Sequence, residues 1–118
     1  MSLRKIVKSF LDACRGLKTV WKEENNFRIE SIVALAVLAT LFFFDFSYVE
    51  IALAVIAIVL VLLGEIVNTA VEDLCNKVEP QYDETIGKIK DMMASFMLVA
   101  VVSSVILGFL ILRNAGLI

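Results

Sequence analysis

With 118 residues, 60% of them hydrophobic, and a mean hydropathy of +0.89, the chain carries more apolar surface than a soluble domain of this size can hide. That balance excludes an ordinary soluble domain and fits a chain whose outer surface faces lipid. The net charge of −2 says little by itself, but the absence of histidine removes histidine catalysis and argues against an ordinary structural zinc site.

Two cysteines, Cys14 and Cys75, are too few for a disulfide framework and read as small apolar fillers. A single proline, no internal repeat and no low-complexity segment indicate one domain over residues 1–118.

In chain order, residues 1–25 come first. Leu3, Ile6, Val7, Phe10, Leu11, Cys14, Leu17, Val20 and Trp21 recur at spacings of three and four, while Arg4, Lys5, Lys8, Arg15, Lys18 and Lys22 fill much of the remainder. This pattern predicts an amphipathic helix lying in the membrane surface, its bases open to phosphate groups. A signal peptide is the alternative, but its continuous apolar core is missing.

A helix needs about 20 residues to cross the hydrocarbon core. Met92 to Leu112 is uncharged over 21 residues and forms the clearest span, placed at 91–113. Ser31 to Phe44 and Ile51 to Gly64 are uncharged over 14 residues each. They reach spanning length as 28–48 and 49–74, joined by a short turn marked by Asp45 and Glu50. Glu30, Glu65 and Asn68 then lie close to membrane depth, where polar groups are costly and commonly functional.

The expected architecture is an all-α integral membrane protein: a surface helix, three membrane-spanning helices and a loop at 75–90. Ten of the eleven Lys and Arg lie within residues 4–28 or 77–90, and only Arg113 lies elsewhere. The positive-inside rule therefore places the N-terminus and that loop in the cytosol, and the C-terminus outside.

The most informative stretch is Gly64 to Asp73. Glu65, Asn68 and Glu72 stand at i, i+3 and i+7, on one helical face. Two carboxylates and an amide there can hold a divalent cation, or one carboxylate can act as a general base. A helix end simply emerging into water explains Asp73, but not Glu65, which apolar residues flank on both sides.

A second polar cluster, Glu23 to Glu30, fits an ordinary interfacial segment equally well. Lys88, Lys90 and Asp91, just before the last span, read first as interfacial anchors. Gly87-Lys88 lacks the upstream glycine of a phosphate loop, and no protein-kinase catalytic loop occurs. Any use of ATP lies outside the soluble kinase folds.

The segment Glu65-x-x-Asn68-Thr69-Ala70-Val71-Glu72 resembles the signature of the prokaryotic diacylglycerol kinase family, which includes the undecaprenol kinases. Gly16-Leu17 followed by Trp21, then Glu24-x-x-Phe27-Arg28-x-Glu30, then Lys90-Asp91 match in order and spacing, so the resemblance runs from Arg4 to about Gly108. It implies a homotrimer of such bundles, with active sites between subunits at the cytosolic interface.

By the same resemblance Glu65 is the general base, supported by Asn68, and Glu24 and Glu72 hold Mg²⁺ with the ATP phosphates. Lys5, Asp12, Asp83, Lys90 and Asp91 complete the ATP site, and Trp21, Phe27, Arg28 and Glu30 join Glu65 along the lipid substrate. Two positions depart from the family pattern: Asn76 stands where an Asp is usual, and Asp83 where a His is common. Glu30 favours diacylglycerol as acceptor, whereas Asn26-Phe27-Arg28 and Asn68-Thr69-Ala70 look more like the undecaprenol kinases.

A small oligomeric channel or transporter is the competing class. It requires a polar stripe across the membrane, and Ile51 to Leu63 carry no polar side chain. A purely structural subunit gives no reason for three polar groups on one face.

Overall fold

The computed structural model describes residues 1–118 and contains four helices and no strand. These are α1 (Leu3–Glu23), α2 (Asn25–Phe43), α3 (Tyr48–Val78) and α4 (Glu84–Asn114). The last three are long and apolar enough to cross a membrane.

Both ends of α1 are satisfied by side chains. Ser2 Oγ accepts from the Lys5 amide at 3.3 Å. At the other end the Arg28 guanidinium donates to the carbonyls of Trp21 at 2.8 Å and Lys22 at 3.1 Å, taking up acceptors that a helix C-terminus leaves unpaired. Glu24 alone separates α1 from α2, with extended backbone at φ −113°, ψ 109°.

The turn between α2 and α3 is equally well specified. Ser47 Oγ accepts from the Glu50 amide at 3.2 Å while Glu50 Oε1 accepts from the Ser47 amide at 2.9 Å, a complete capping box. The turn therefore closes within 44–47, and Glu50, expected to mark it, lies inside the first turn of α3.

Helix α2 has 19 residues, about 28 Å at 1.5 Å per residue. Helices α3 and α4 have 31 residues each, about 46 Å, well beyond a hydrocarbon core of about 30 Å. Much of the expected 75–90 loop is accordingly helical, and only residues 79–83 are not.

Pro80 explains the break. The residue before a proline is driven out of the α region, and Glu79 is extended at φ −147°, ψ 99°. Asp83 then starts α4, its Oδ2 accepting from the Ile86 amide at 3.0 Å. Hydropathy marks where apolar character stops, whereas capping and proline mark where a helix stops.

Helix α3 is the centre of the fold, packing on α4, α2 and α1. Phe27, Ala34 and Leu41, spaced by seven, form the buried stripe of α2. Gly64 admits α4 closely: a Cβ there would lie 2.9 Å from Met97 Sδ and 3.1 Å from the Phe96 ring. Ser104 Oγ donates across the same interface to the Ala57 carbonyl at 3.3 Å. Leu41, Ala54 and Ile111 join α2, α3 and α4 near the 44–47 turn. Only 12 of 118 residues are buried, so most apolar side chains point outward, as a lipid-facing chain requires.

Candidate active site

Three polar residues of α3 and one of α4 share a cavity of about 390 Å³. Glu65, Asn68 and Glu72 come from successive turns of α3, and Lys90 faces them from α4. Asn26, Val71, Met93, Ala94 and Met97 complete the lining. The long overlap of α3 with α4 makes this possible: Lys90 lies seven positions into α4, and residues 79–83 fold the chain back on itself.

Glu65 is only 4% exposed, and its Oε2 is buried with no hydrogen-bond partner. Its own carbonyl accepts from Thr69 Oγ1 at 2.8 Å, which leaves the carboxylate uninvolved in holding the helix. A buried carboxylate oxygen without a partner is costly, and such groups concentrate where chemistry is done.

Glu24 lies at the break between α1 and α2, outside the cavity lining. It occupies the N-cap position of α2 but accepts no capping hydrogen bond, so its carboxylate is uncommitted. Partial burial raises its pKa above the ordinary carboxylate value, and the negative charges of Glu72 and Asp73 push in the same direction. Glu23, beside it, is raised by a hydrogen bond with the Asp73 carboxyl, then by desolvation and by the charges of Asp73 and Glu24.

Both ion pairs of the chain lie on α1, where Asp12 binds Lys8 at 2.9 Å and Arg15 at 3.1 Å. No lysine or arginine neutralises Glu23, Glu24, Glu65, Glu72 or Asp73. The donor set of Glu24 and Glu72 is all carboxylate oxygen, which suits a hard divalent cation such as Mg²⁺. No three acidic side chains close into a cage, so such an ion would take further oxygens from water or from a phosphate ligand.

Glu30 lies in a separate apolar groove of about 270 Å³ between α2, α3 and α4, with Val33, Ala57, Val61, Leu62 and Ser104 among its walls. Its Oε2 is also buried without a partner. Glu30 feels the charge of Glu65, so the polar end of the apolar groove adjoins the acidic cavity.

Other residues singled out from the sequence sit elsewhere. Arg28 caps α1 and also donates to Asn25 Oδ1 at 3.4 Å. Phe27 is buried at 7% exposure, while Trp21 and Lys5 are exposed on α1. Asp12 is held by its two ion pairs, Asp83 serves as the N-cap of α4, and Asp91 is exposed outside the cavity lining.

Three residues without a role from the sequence join the region: Asn26 in the lining, Glu23 against Asp73, and Asn76, which accepts from Lys90. For Asn76 a signal existed. It continues the stripe of Glu65, Asn68 and Glu72 by one further turn.

Along most of its length the chain is similar to known proteins. The chain is 28% identical over 102 residues to the diacylglycerol kinase of Escherichia coli (strain K12), covering 86% of this chain and 84% of that one. It is 29% identical over 98 residues to the diacylglycerol kinase of Haemophilus influenzae, covering 83% of each. It is 30% identical over 109 residues to the undecaprenol kinase of Bacillus subtilis (strain 168), covering 92% of this chain and 89% of that one. The sequence profile described as prokaryotic diacylglycerol kinase matches residues 12–112, and the chain therefore belongs to that family.

Proposed function

We propose that the chain transfers the γ-phosphate of ATP, with Mg²⁺, to the hydroxyl of diacylglycerol to give phosphatidic acid. Family membership makes it a lipid kinase, a phosphotransferase with an alcohol acceptor. The observation that carries the finer reading is the unpartnered Glu65 Oε2 in a cavity shared with Asn68, Glu72 and Lys90.

Phosphoryl transfer asks a protein mainly to position the reactants and neutralise charge. The lipid hydroxyl oxygen bonds to the γ-phosphorus, the bond from that phosphorus to the β-γ bridging oxygen breaks, and the hydroxyl proton passes to the Glu65 carboxylate. A primary alcohol is a weak nucleophile, so a base at that point helps. Asn68, one turn along the same face, orients Glu65.

Mg²⁺ held by Glu24 and Glu72 would supply charge neutralisation on the phosphates. Lys90 adds positive charge from α4, and Lys5, Asp12, Asp83 and Asp91 stand as outer contacts of ATP. The apolar groove that ends at Glu30 would take the acyl chains and set the hydroxyl near Glu65, with Trp21, Phe27 and Arg28 at the lipid access path.

The apolar stripe and bases of α1 support an amphipathic helix resting on the cytosolic face. The chain would be a single kinase domain over residues 1–118, with its N-terminus in the cytosol and its C-terminus outside. A trimer in the bacterial inner membrane would cover apolar faces that one copy leaves open and shield Glu65.

Undecaprenol is the alternative acceptor, favoured by the match to the Bacillus subtilis undecaprenol kinase over 92% of this chain. The test supplies labelled ATP with dioleoylglycerol or undecaprenol in separate mixed micelles. Label in dioleoylglycerol, lost on removal of Mg²⁺ and in Glu65→Ala, is expected. Label confined to undecaprenol would replace the acceptor, and label in neither would overturn the reading.

A further inference from the structure

We propose that Asn76 is a positioning residue for Lys90, a neutral anchor that holds the lysine toward the nucleotide phosphates without taking up its charge. Asn76 Oδ1 accepts from Lys90 Nζ at 2.8 Å, joining α3 to α4 at the end of the bundle that holds the cavity. The other side-chain hydrogen bonds between these helices, from Ser104 and from Asn114, lie farther along toward the 44–47 turn.

Asn76 stands one turn beyond Glu72 on the face that carries Glu65 and Asn68. The cation-binding carboxylate and the anchor of the lysine are thus consecutive positions of one stripe, so α3 sets the spacing between the two positive charges brought to the phosphates.

A lysine side chain loses much rotamer freedom when it is fixed. Both Asn76 and Lys90 are exposed, so a free Lys90 would sample many positions and each nucleotide would bear the cost of ordering it. The Asn76 bond orders it beforehand. It uses one of the three ammonium donors and leaves two for phosphate oxygens. An amide oxygen carries no net charge, so the full positive charge of Lys90 stays available. A carboxylate at position 76 would hold the same geometry but pair that charge. Because the bond is exposed, it adds little to the stability of the fold.

The proposal rests on the reading of Lys90 as a phosphate ligand, and the experiment separates the two. The full chain in detergent micelles is titrated with MgATP, and thermal midpoints are recorded in parallel. Lys90→Ala should weaken MgATP binding at least tenfold. Asn76→Ala should weaken it about fivefold in the native background, the order expected of one ordinary, solvent-exposed hydrogen bond, and should have no effect when combined with Lys90→Ala.

Asn76→Asp should also weaken binding while keeping or raising the midpoint. A mere clasp between helices would leave MgATP affinity unmoved in every Asn76 variant, whatever happens to the midpoint. That pattern, or an equal loss from Asn76→Ala with and without Lys90, would overturn the proposal. If Lys90→Ala alone leaves MgATP affinity unchanged, the phosphate role of Lys90 fails first and the anchor loses its purpose with it.

Discussion

Helix α3 carries two buried glutamates, one in its first turn and one near its middle, and their surroundings differ in every respect that matters. Glu50, beside the 44–47 turn, is 8% exposed and has a donor for each oxygen: the Ser47 amide at 2.9 Å and Asn114 Nδ2 at 3.2 Å. Glu65, 4% exposed near the middle of the helix, has a buried Oε2 with no donor, and the charges of Glu24 and Glu72 bear on it. The first carboxylate ties the start of α3 to the end of α4. The second has no such fastening, and it is the carboxylate proposed to accept the proton. A satisfied buried carboxylate is a structural fastening; an orphaned one, sharing a cavity with a lysine and a second carboxylate, is the proposed general base.

Substitutions at these glutamates and their neighbours test the contrast. The largest effect is expected at Glu65: Glu65→Gln should lower kcat by about 10³-fold in a lipid phosphorylation assay, within the range for loss of a general base. Glu24→Gln and Glu72→Gln should each raise the Mg²⁺ concentration needed for half-maximal rate by at least about tenfold, since each removes one of two carboxylate donors from an already open set. A Mg²⁺ titration of the initial rate checks this, and an unchanged midpoint would remove those residues from the metal.

At the opposite end, Glu50→Ala should leave kcat per folded molecule within about twofold. It should cost about 1–3 kcal/mol of stability, because it breaks the capping box and strands Asn114. Between the two, Gly64→Val should cost about 1–3 kcal/mol through overpacking against Met97 and Phe96, together with part of the activity, because α4 carries Lys90. Chemical denaturation in micelles, read with the rate assay, separates these last two.

The spans and the stripe of Glu65, Asn68 and Glu72 were legible because both are periodic features of a single helix. Contacts between helices were not. Glu50 reads from the sequence as the marker of a turn, and nothing local announces Asn114, 64 positions later, as its donor. Arg28, placed along the lipid substrate by the family resemblance, also closes α1 with its guanidinium, a role that nothing local announces. Asp83, which the family resemblance places with ATP, has the residue type and position of an N-cap, and it caps α4. Asn76 is a departure from the family pattern and continues the polar stripe, but its partner Lys90 becomes a neighbour only when residues 79–83 turn the chain back.

The most direct measurement pairs kcat and thermal midpoint for Glu65→Gln and Glu50→Gln, side by side in the same micelles. The expected result is a crossed pattern. Glu65→Gln loses about 10³-fold in kcat with a midpoint equal to or above that of the native chain, because an uncharged amide suits the site better than an unpartnered carboxylate. Glu50→Gln keeps its rate and melts earlier. A Glu65→Gln variant that turns over normally, or that loses its rate only because it unfolds, would contradict the assignment of Glu65 as the base.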